Sequence, residues 1–301
     1  MRPRSWDGDF LFKDEPRTRE TEDAHVSPEE QLSRVALVKS ETESLSALWR
    51  GFSDARWEVE TFCPGWQAQH AVSHLVTGAD FYTNSIRRAL EGLPPEPPYG
   101  SNTKEFFAIR AARGEELMAL PREEMMDAFD ATASQVNGAL ADITEDDIGK
   151  LGFHPRGLTR LDAWIGLRLV ELMAHDWDIR YGEDAEACVS ADGLEGVMSF
   201  LPASQSRLFG VRENPPFDGR FLFRSTTPDR AWTLTVAGEK AEESAHTSGA
   251  HDAVITADGE AHFLLLYGRA KRSAMEAAGR LAIEGDAELA NQLLCVLYTN
   301  Y

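Results

Sequence analysis

Cysteine is scarce in this sequence, and its scarcity excludes the small disulfide-rich proteins. Only 3 cysteines occur among 301 residues, and they lie far apart, at Cys63, Cys188 and Cys295. An odd number of widely spaced thiols fits neither a disulfide framework nor a cysteine-rich zinc finger. Reduced thiols are typical of the cytoplasm, which is the compartment that we expect for this protein.

The chain also lacks a long apolar run and an excess of positive charge. No apolar segment is long enough to span a bilayer, and the N-terminus does not contain the apolar stretch of a signal peptide. Asp and Glu number 50 against 30 Lys and Arg, which gives a formal net charge of −20. This balance excludes neither enzymes nor binding proteins, but it disfavours nucleic acid and membrane surfaces as partners. We expect a small-molecule substrate and a monomer or homodimer.

The remaining composition is that of a globular protein with two domains. Residues 1–26 mix charged residues and proline with few apolar side chains, which predicts a mobile tail. Helical periodicity then predicts long amphipathic helices in residues 27–210, with a proline-rich connector at 92–100 and a break or kink at Pro202. Four such helices are typical of an antiparallel bundle.

The pattern changes after the bundle. Short segments around 220–224, 232–236, 253–256 and 281–284 alternate or are rich in β-branched residues, which predicts strands. Helical patterns occupy about 259–267 and 287–298. Residues 211–301 therefore form a separate domain of the α+β class in this interpretation.

Glu171 and His175 are the most informative pair of residues in the chain. Their spacing of four residues places both on one face of a helix, and that face is otherwise apolar. Ionisable groups in a core are costly unless they are paired or bound to a cation. The pair therefore predicts either a buried Glu–His hydrogen bond or two ligands of a metal site.

His74 is the candidate for a third ligand. It lies in a mostly apolar part of the second long helix. If the bundle brings the two helices together, His74, Glu171 and His175 supply three ligands and leave an open position, which is typical of catalytic zinc sites. The alternative is an ordinary half-buried histidine beside a Glu–His hydrogen bond.

Two motifs in this order resemble those of a known family. They are Cys63-Pro-Gly-Trp66, followed by His74, and Arg168-x-x-Glu171-x-x-x-His175-x-Trp-Asp178. The chain resembles the mycothiol-dependent maleylpyruvate isomerase family, a branch of the DinB-like four-helix metalloproteins. The resemblance implies a DinB-like bundle and a sterol-carrier-like C-terminal α+β domain. It also implies a divalent metal, usually zinc, bound by His74, Glu171 and His175.

The resemblance further implies a reaction. Mycothiol, or a similar low-molecular-weight thiol, is the cofactor of the family. Its thiolate would be held by the metal and would add to an electron-poor double bond of a substrate such as maleylpyruvate. Rotation and elimination would give fumarylpyruvate, whereas stopping after addition or displacement would make the protein an S-transferase. One set of residues supports both outcomes.

Two further residues are candidate catalytic residues. Arg269 lies in a Gly-Arg segment similar to one whose arginine is proposed to reach the family's active site, where it could bind a substrate carboxylate. The alternative is a surface arginine that caps a helix end. Asp178 follows His175 by one turn and either orients a ligand histidine, pairs with Arg168 or Arg180, or is a solvated carboxylate.

Neighbouring residues have simpler interpretations. We interpret Cys63 as structural, Trp66 and Trp177 as packing around the site, and His70 as a surface histidine rather than a spare ligand. Two other functions remain open. One is a metal-dependent hydrolase with a metal-bound water. The other is a non-enzymatic protein that binds an apolar ligand and carries a structural metal.

Overall fold

A computed structural model describes residues 28–298, and it contains two compact units that divide between Ala187 and Cys188. The predicted tail, residues 1–26, lies outside the described residues. Within the described range, none of the helices combines the length and the apolar character that crossing a bilayer requires. The two units are described separately below.

The first unit is mainly helical. Its helices are α1 (Pro28–Arg50), α2 (Asp54–Trp57), α3 (Ala68–Leu90), α4 (Thr103–Met118), α5 (Arg122–Ala141) and α6 (Ala163–Tyr181). A two-stranded antiparallel sheet, β1 (Leu151–Gly152) and β2 (Thr159–Arg160), precedes α6. The proline-rich connector predicted at 92–100 contains no helix, because proline fits neither the geometry nor the hydrogen bonding of a helix interior.

Four of these helices form the predicted bundle. Helix α3 packs against α5 and α6, and α1 packs against the same two helices, so that the four close a ring. Helix α4 packs on α3. Helix α6 is buried on nearly all sides, and its buried residues include Arg168, His175 and Asp178. Polar groups in such a helix need partners within the protein, because water does not reach them.

The second unit contains a five-stranded sheet. Its elements are α7 (Ala191–Val211), β3 (Phe217–Thr226), β4 (Asp229–Gly238), β5 (Lys240–Ser244), β6 (Ala253–Ala257), α8 (Gly259–Leu266), α9 (Arg272–Ala277), β7 (Leu281–Gly285) and α10 (Ala287–Leu297). The strand order is β5-β4-β3-β6-β7, with β3 and β6 parallel and the other neighbours antiparallel. All four predicted strands are present, and β5 was not predicted.

Helix α7 belongs to this second unit, although the sequence analysis placed residues up to 210 in the bundle. Met198 and Phe209 of α7 are part of the hydrophobic core of the sheet. Gln205 accepts a hydrogen bond of 2.8 Å from the indole N–H of Trp232 on β4. The helix also continues through Pro202, so this proline does not break it; the alternative expectation of a kink stays a prediction. An amphipathic pattern shows that one helix face is apolar, but it does not show which surface covers that face.

His262 of α8 is buried in the core of the second unit. Its Nε2 lies 2.9 Å from the carbonyl oxygen of Arg224, and its Nδ1 lies 3.0 Å from the hydroxyl of Tyr298. A neutral ring can donate to the carbonyl and accept from the hydroxyl. Burial lowers the pKa of His262 to about 4, against the opposing effect of the Arg224 carbonyl.

This buried histidine predicts a loss of stability in acid. The unfolded chain binds a proton at His262 that the folded chain excludes as the pH falls from 6.5 to about 4. The free energy of unfolding should therefore decrease by about 3 kcal/mol across this window on account of His262. A His262→Gln variant should lose that part of the pH dependence in denaturant unfolding. The exposed His246 provides the control, and equal pH dependence in His262→Gln and His246→Gln would contradict the prediction.

Candidate metal centre

Helices α3 and α6 bring the three predicted ligands together. Oε2 of Glu171 lies 3.2 Å from Nε2 of His74 and 3.6 Å from Nε2 of His175. One ligand atom from each of the three residues lies within 4.8 Å of the other two. A tetrahedral zinc ion with bonds of about 2.1 Å separates its ligand atoms by about 3.4 Å. The two measured spacings bracket that value, so the donor set fits a divalent metal such as zinc.

The group is accessible from one side. The side chain of Glu171 is 27% exposed and that of His74 is 12% exposed, whereas the side chain of His175 is completely buried. His175 therefore lies deepest in the group. A small molecule would approach past Glu171 and His74.

Asp178 holds the ring of His175 from behind. Its Oδ2 lies 3.0 Å from Nδ1 of His175 and 3.4 Å from Sγ of Cys63, and all three residues are buried. The carboxylate can accept hydrogen bonds from the ring N–H and from the thiol, which leaves the lone pair on Nε2. Of the three alternatives for Asp178, the geometry favours orienting a histidine. Asp178 is not a solvated carboxylate, and Arg180 pairs instead with Asp176.

Burial and charge act differently on the three ionisable groups. Burial, together with the positive charge of Arg110, lowers the pKa of His74 to about 3. Burial acts to raise the pKa of Glu171, but hydrogen bonds from His175 and His74 hold it well below its usual range. Burial acts to lower the pKa of His175, and hydrogen bonds with Asp178 and Glu171 outweigh it, so that this pKa is raised. A neutral His74 and an ionised Glu171 are the forms that bind metals.

Trp66 packs over both imidazole rings, as the sequence analysis predicted. Its ring centroid lies 5.5 Å from that of His74 and 6.0 Å from that of His175. Trp177 packs elsewhere, stacked on Tyr181 with centroids 4.7 Å apart. The indole of Trp66 therefore shields the two histidines from water on one side.

His70 has a structural role at the start of α3. It is half-buried, and its Nδ1 accepts a hydrogen bond of 3.0 Å from the backbone N–H of Gln67. This contact satisfies a backbone donor at the helix terminus, which would otherwise lack an intrahelical acceptor. His70 is therefore a helix-capping residue in this structure rather than a member of the three-residue group.

Arg110 of α4 is a candidate functional residue that the sequence analysis missed. Its Nη2 lies 3.2 Å from both ring nitrogens of His74, and its Nε donates a hydrogen bond of 3.3 Å to Oγ1 of Thr77. The arginine is only 8% exposed. Sequence spacing gave no signal for Arg110, because the proline-rich connector separates α4 from α3. The pattern of apolar residues does not show which face of α4 lies against α3.

Arg168 is the second buried arginine near the site. Its Nη1 donates a hydrogen bond of 3.3 Å to the carbonyl oxygen of Leu75, beside His74 on α3. Among residues 28–298, its Nε and Nη2 have no hydrogen-bond partner. Burial lowers the pKa of Arg168 to about 10, so the side chain is still a cation at neutral pH.

Arg269 lies in the second unit, directly after α8. It is 4% exposed, and its Nη1 donates a hydrogen bond of 2.6 Å to the carbonyl oxygen of Tyr267. This contact is the helix-end cap that the sequence analysis considered, although the side chain is buried rather than on the surface. The predicted role of Arg269 in binding a substrate carboxylate stays a prediction.

Comparison with known families identifies both parts of the chain. Residues 38–180 match the family described as the mycothiol maleylpyruvate isomerase N-terminal domain. This match covers just under half of the chain, so the first unit is similar to the N-terminal domain of the mycothiol-dependent maleylpyruvate isomerases. Residues 216–297 match the SCP-2 sterol transfer family. The two matches confirm the predicted architecture, a DinB-like helical bundle followed by a sterol-carrier-like α+β domain.

Solved structures of a mycothiol-dependent maleylpyruvate isomerase share this fold. One has a TM-score of 0.56 at 15% identity, over 80% of this chain and 90% of that chain. A variant of the enzyme has a TM-score of 0.58 at 14% identity, over 84% of this chain and 92% of that chain. The curated proteins include no match to this sequence. At such identities the likeness shows the fold of this chain and leaves its reaction open.

Two arginines on α6, the buried Arg168 and the partly exposed Arg180, predict opposite effects on stability. Arg168→Met should leave the free energy of unfolding unchanged or raise it by about 1 kcal/mol, because it removes a buried cation with two unsatisfied donors. Arg180→Met should lower it by about 3 kcal/mol, because it leaves the buried carboxylate of Asp176 without its partner. Denaturant unfolding of the two variants measures both changes. A larger decrease in the free energy of unfolding in Arg168→Met than in Arg180→Met would be inconsistent with the prediction.

Proposed function

We propose that this protein is a metal-dependent enzyme that uses mycothiol or a similar low-molecular-weight thiol. Its reaction is cis–trans isomerisation by reversible addition of the thiol to a substrate, or the closely related transfer of the thiol. The observation that carries the proposal is the triangle of donor atoms formed by His74, Glu171 and His175. The family of the first unit supports the choice of thiol and reaction.

His74, Glu171 and His175 would hold the metal, for which we propose zinc. When bound, the ion supplies a positive charge that favours the deprotonated form of a sulfur ligand. Asp178 accepts a hydrogen bond from the Nδ1–H of His175. The lone pair on Nε2 of His175 therefore remains available. Trp66 shields both histidine rings from water. Asp178 is therefore a positioning residue that acts through His175.

The substrate that we propose is a small carboxylate-bearing molecule, such as maleylpyruvate. Arg269 is a candidate for binding its carboxylate, since a guanidinium can make two parallel hydrogen bonds to that group. This assignment rests on the resemblance of the Gly268-Arg269 segment to that of the family. The two solved structures with this fold are those of a maleylpyruvate isomerase, which supports the substrate class.

Two other functions use the same residues differently. A metal-dependent hydrolase would place water at the remaining coordination position. A non-catalytic ligand-binding protein would hold a structural metal, which usually has four protein ligands. Among the described residues, the group at the accessible side contains three ligand residues, which favours an open position over a closed structural site.

The proposal predicts metal binding and thiol dependence together. The protein should bind about one zinc ion per chain, and His74→Ala and His175→Ala should each abolish stoichiometric binding, since two ligands rarely suffice. Zinc content is measured by mass spectrometry after dialysis. Isomerisation of maleylpyruvate by the zinc-loaded protein should require added mycothiol.

The helix-capping His70 provides a matched control, because it lies one turn from His74 on the same helix. His70→Ala should retain the zinc. Unchanged zinc content in His74→Ala and His175→Ala would refute the metal assignment. Turnover that is independent of any thiol would favour the hydrolase.

Asp178 predicts a separate effect on metal affinity. Asp178→Asn should weaken zinc binding by about tenfold to 100-fold, because an amide no longer enforces the tautomer in which Nε2 of His175 is free to coordinate. Competition with a chelator measures the affinity. Asp184→Asn removes an exposed carboxylate and should have no effect. Equal affinities in Asp178→Asn and Asp184→Asn would be the contrary result.

A further inference from the structure

Arg110 occupies an unusual position relative to His74. The two distances from its Nη2 to the ring nitrogens are equal, at 3.2 Å. An atom in the ring plane at these distances would overlap the carbon between the two nitrogens, so Nη2 lies over the face of the imidazole. The guanidinium therefore leaves the in-plane lone pair of Nε2 unobstructed. It places a positive charge beside the atom that faces Glu171.

Contacts between α3 and α4 hold the guanidinium there. Ser73 donates a hydrogen bond of 3.1 Å to the carbonyl oxygen of Gly114, one turn beyond Arg110 on α4. A Cβ atom at Gly114 would lie 3.3 Å from the hydroxyl of Ser73, which is tighter than an ordinary contact. Thr77 accepts from Nε, and the carbonyl of His74 accepts from Nη2 at 3.3 Å. The position of Arg110 is thus determined by several independent contacts.

The charge of Arg110 has a consequence for what the metal centre can bind. An arginine is a cation at every physiological pH. A divalent ion held by the three ligand residues would lie beside this cation. The ion, Arg110 and Arg168 would supply four positive charges, and the carboxylates of Glu171 and Asp178 supply two negative ones. A neutral ligand leaves the excess unchanged, whereas an anion reduces it. Arg110 and His175 are buried, so such charge effects are stronger than in water.

We propose that Arg110 selects an anionic ligand, a thiolate or a carboxylate, for the open position of the metal centre. The inference rests on the proposed function and adds to it a residue that determines specificity. Arg110 lies in the first unit together with the metal ligands. Its role differs from that of Asp178, which orients a ligand and does not face the open side.

The test uses the cobalt(II)-substituted full-length protein, whose visible absorption reports the ligands of the metal. Three probes are titrated separately: 2-mercaptoethanol, which binds as a thiolate, acetate, which is a carboxylate, and imidazole, which is neutral. Arg110→Met removes the charge, and Arg110→Lys keeps it. Arg110→Gln provides a second neutral side chain in case the methionine variant does not fold.

Arg110→Met should bind at least one of the two anions about tenfold more weakly, and Arg110→Lys should restore most of the loss. If only the affinity for 2-mercaptoethanol falls, the anion that Arg110 selects is a thiolate. If only the affinity for acetate falls, it is a carboxylate. Imidazole binding should change by less than about twofold. The control is Arg113→Met, which removes a charge three residues further along α4, where the arginine pairs with Asp80.

Two results would overturn the inference while leaving the metal assignment intact. In the first, imidazole binding weakens as much as anion binding, which would show that Arg110 only maintains the shape of the site. In the second, the binding of both anions is unchanged in Arg110→Met or Arg110→Gln. Failure of the unsubstituted protein to bind cobalt would instead reject the proposed function, and this inference with it.

Discussion

The contact of one carboxylate with two imidazoles is the interaction on which the candidate site in the first unit depends. Glu171 lies within hydrogen-bonding or ion-pairing distance of His74 and His175, and the rings belong to different helices. A carboxylate that is largely withdrawn from water is costly without such partners, so these contacts favour the packing of α3 against α6. Metal binding and bundle packing therefore use the same contacts. A substitution at any of the three residues has to be assayed for folding as well as for metal content.

Much of this centre could be predicted from the sequence because its ligands follow local rules. The spacing of Glu171 and His175 is a property of one helix, and the apolar surroundings of His74 are visible in its own segment. Arg110 follows no such rule. Its contact with His74 depends on the way α4 packs on α3, which Ser73 and Gly114 determine. The hydrogen bond between Cys63 and Asp178 joins residues 115 positions apart, and no local pattern indicates it.

The second unit shows the same limit on a larger scale. The strands with buried, β-branched residues were predicted, whereas β5 was not, because Lys240, Glu242 and Glu243 leave only Ala241 of this segment buried. Charged residues are typical of an edge strand, where one side of the ladder faces water. Helix α7 was predicted as a helix but assigned to the bundle. The apolar face of α7 could pack against either a helix or a sheet. In the structure, Phe209 packs in the core of the sheet.

With a divalent ion bound, the candidate site would carry charge of the opposite sign from that on the whole chain. The formal net charge of −20 would repel a carboxylate or thiolate at long range, but salt screens such repulsion beyond about 8 Å in the cell. Within the bundle, Arg110 and Arg168 are buried cations that lie close to His74 and are poorly screened. Local charge therefore outweighs net charge once a ligand has entered. An acidic composition and an anionic substrate are compatible for this reason. The acidic composition disfavours polyanions, which contact a large surface, but it does not disfavour a small anion that binds in one pocket.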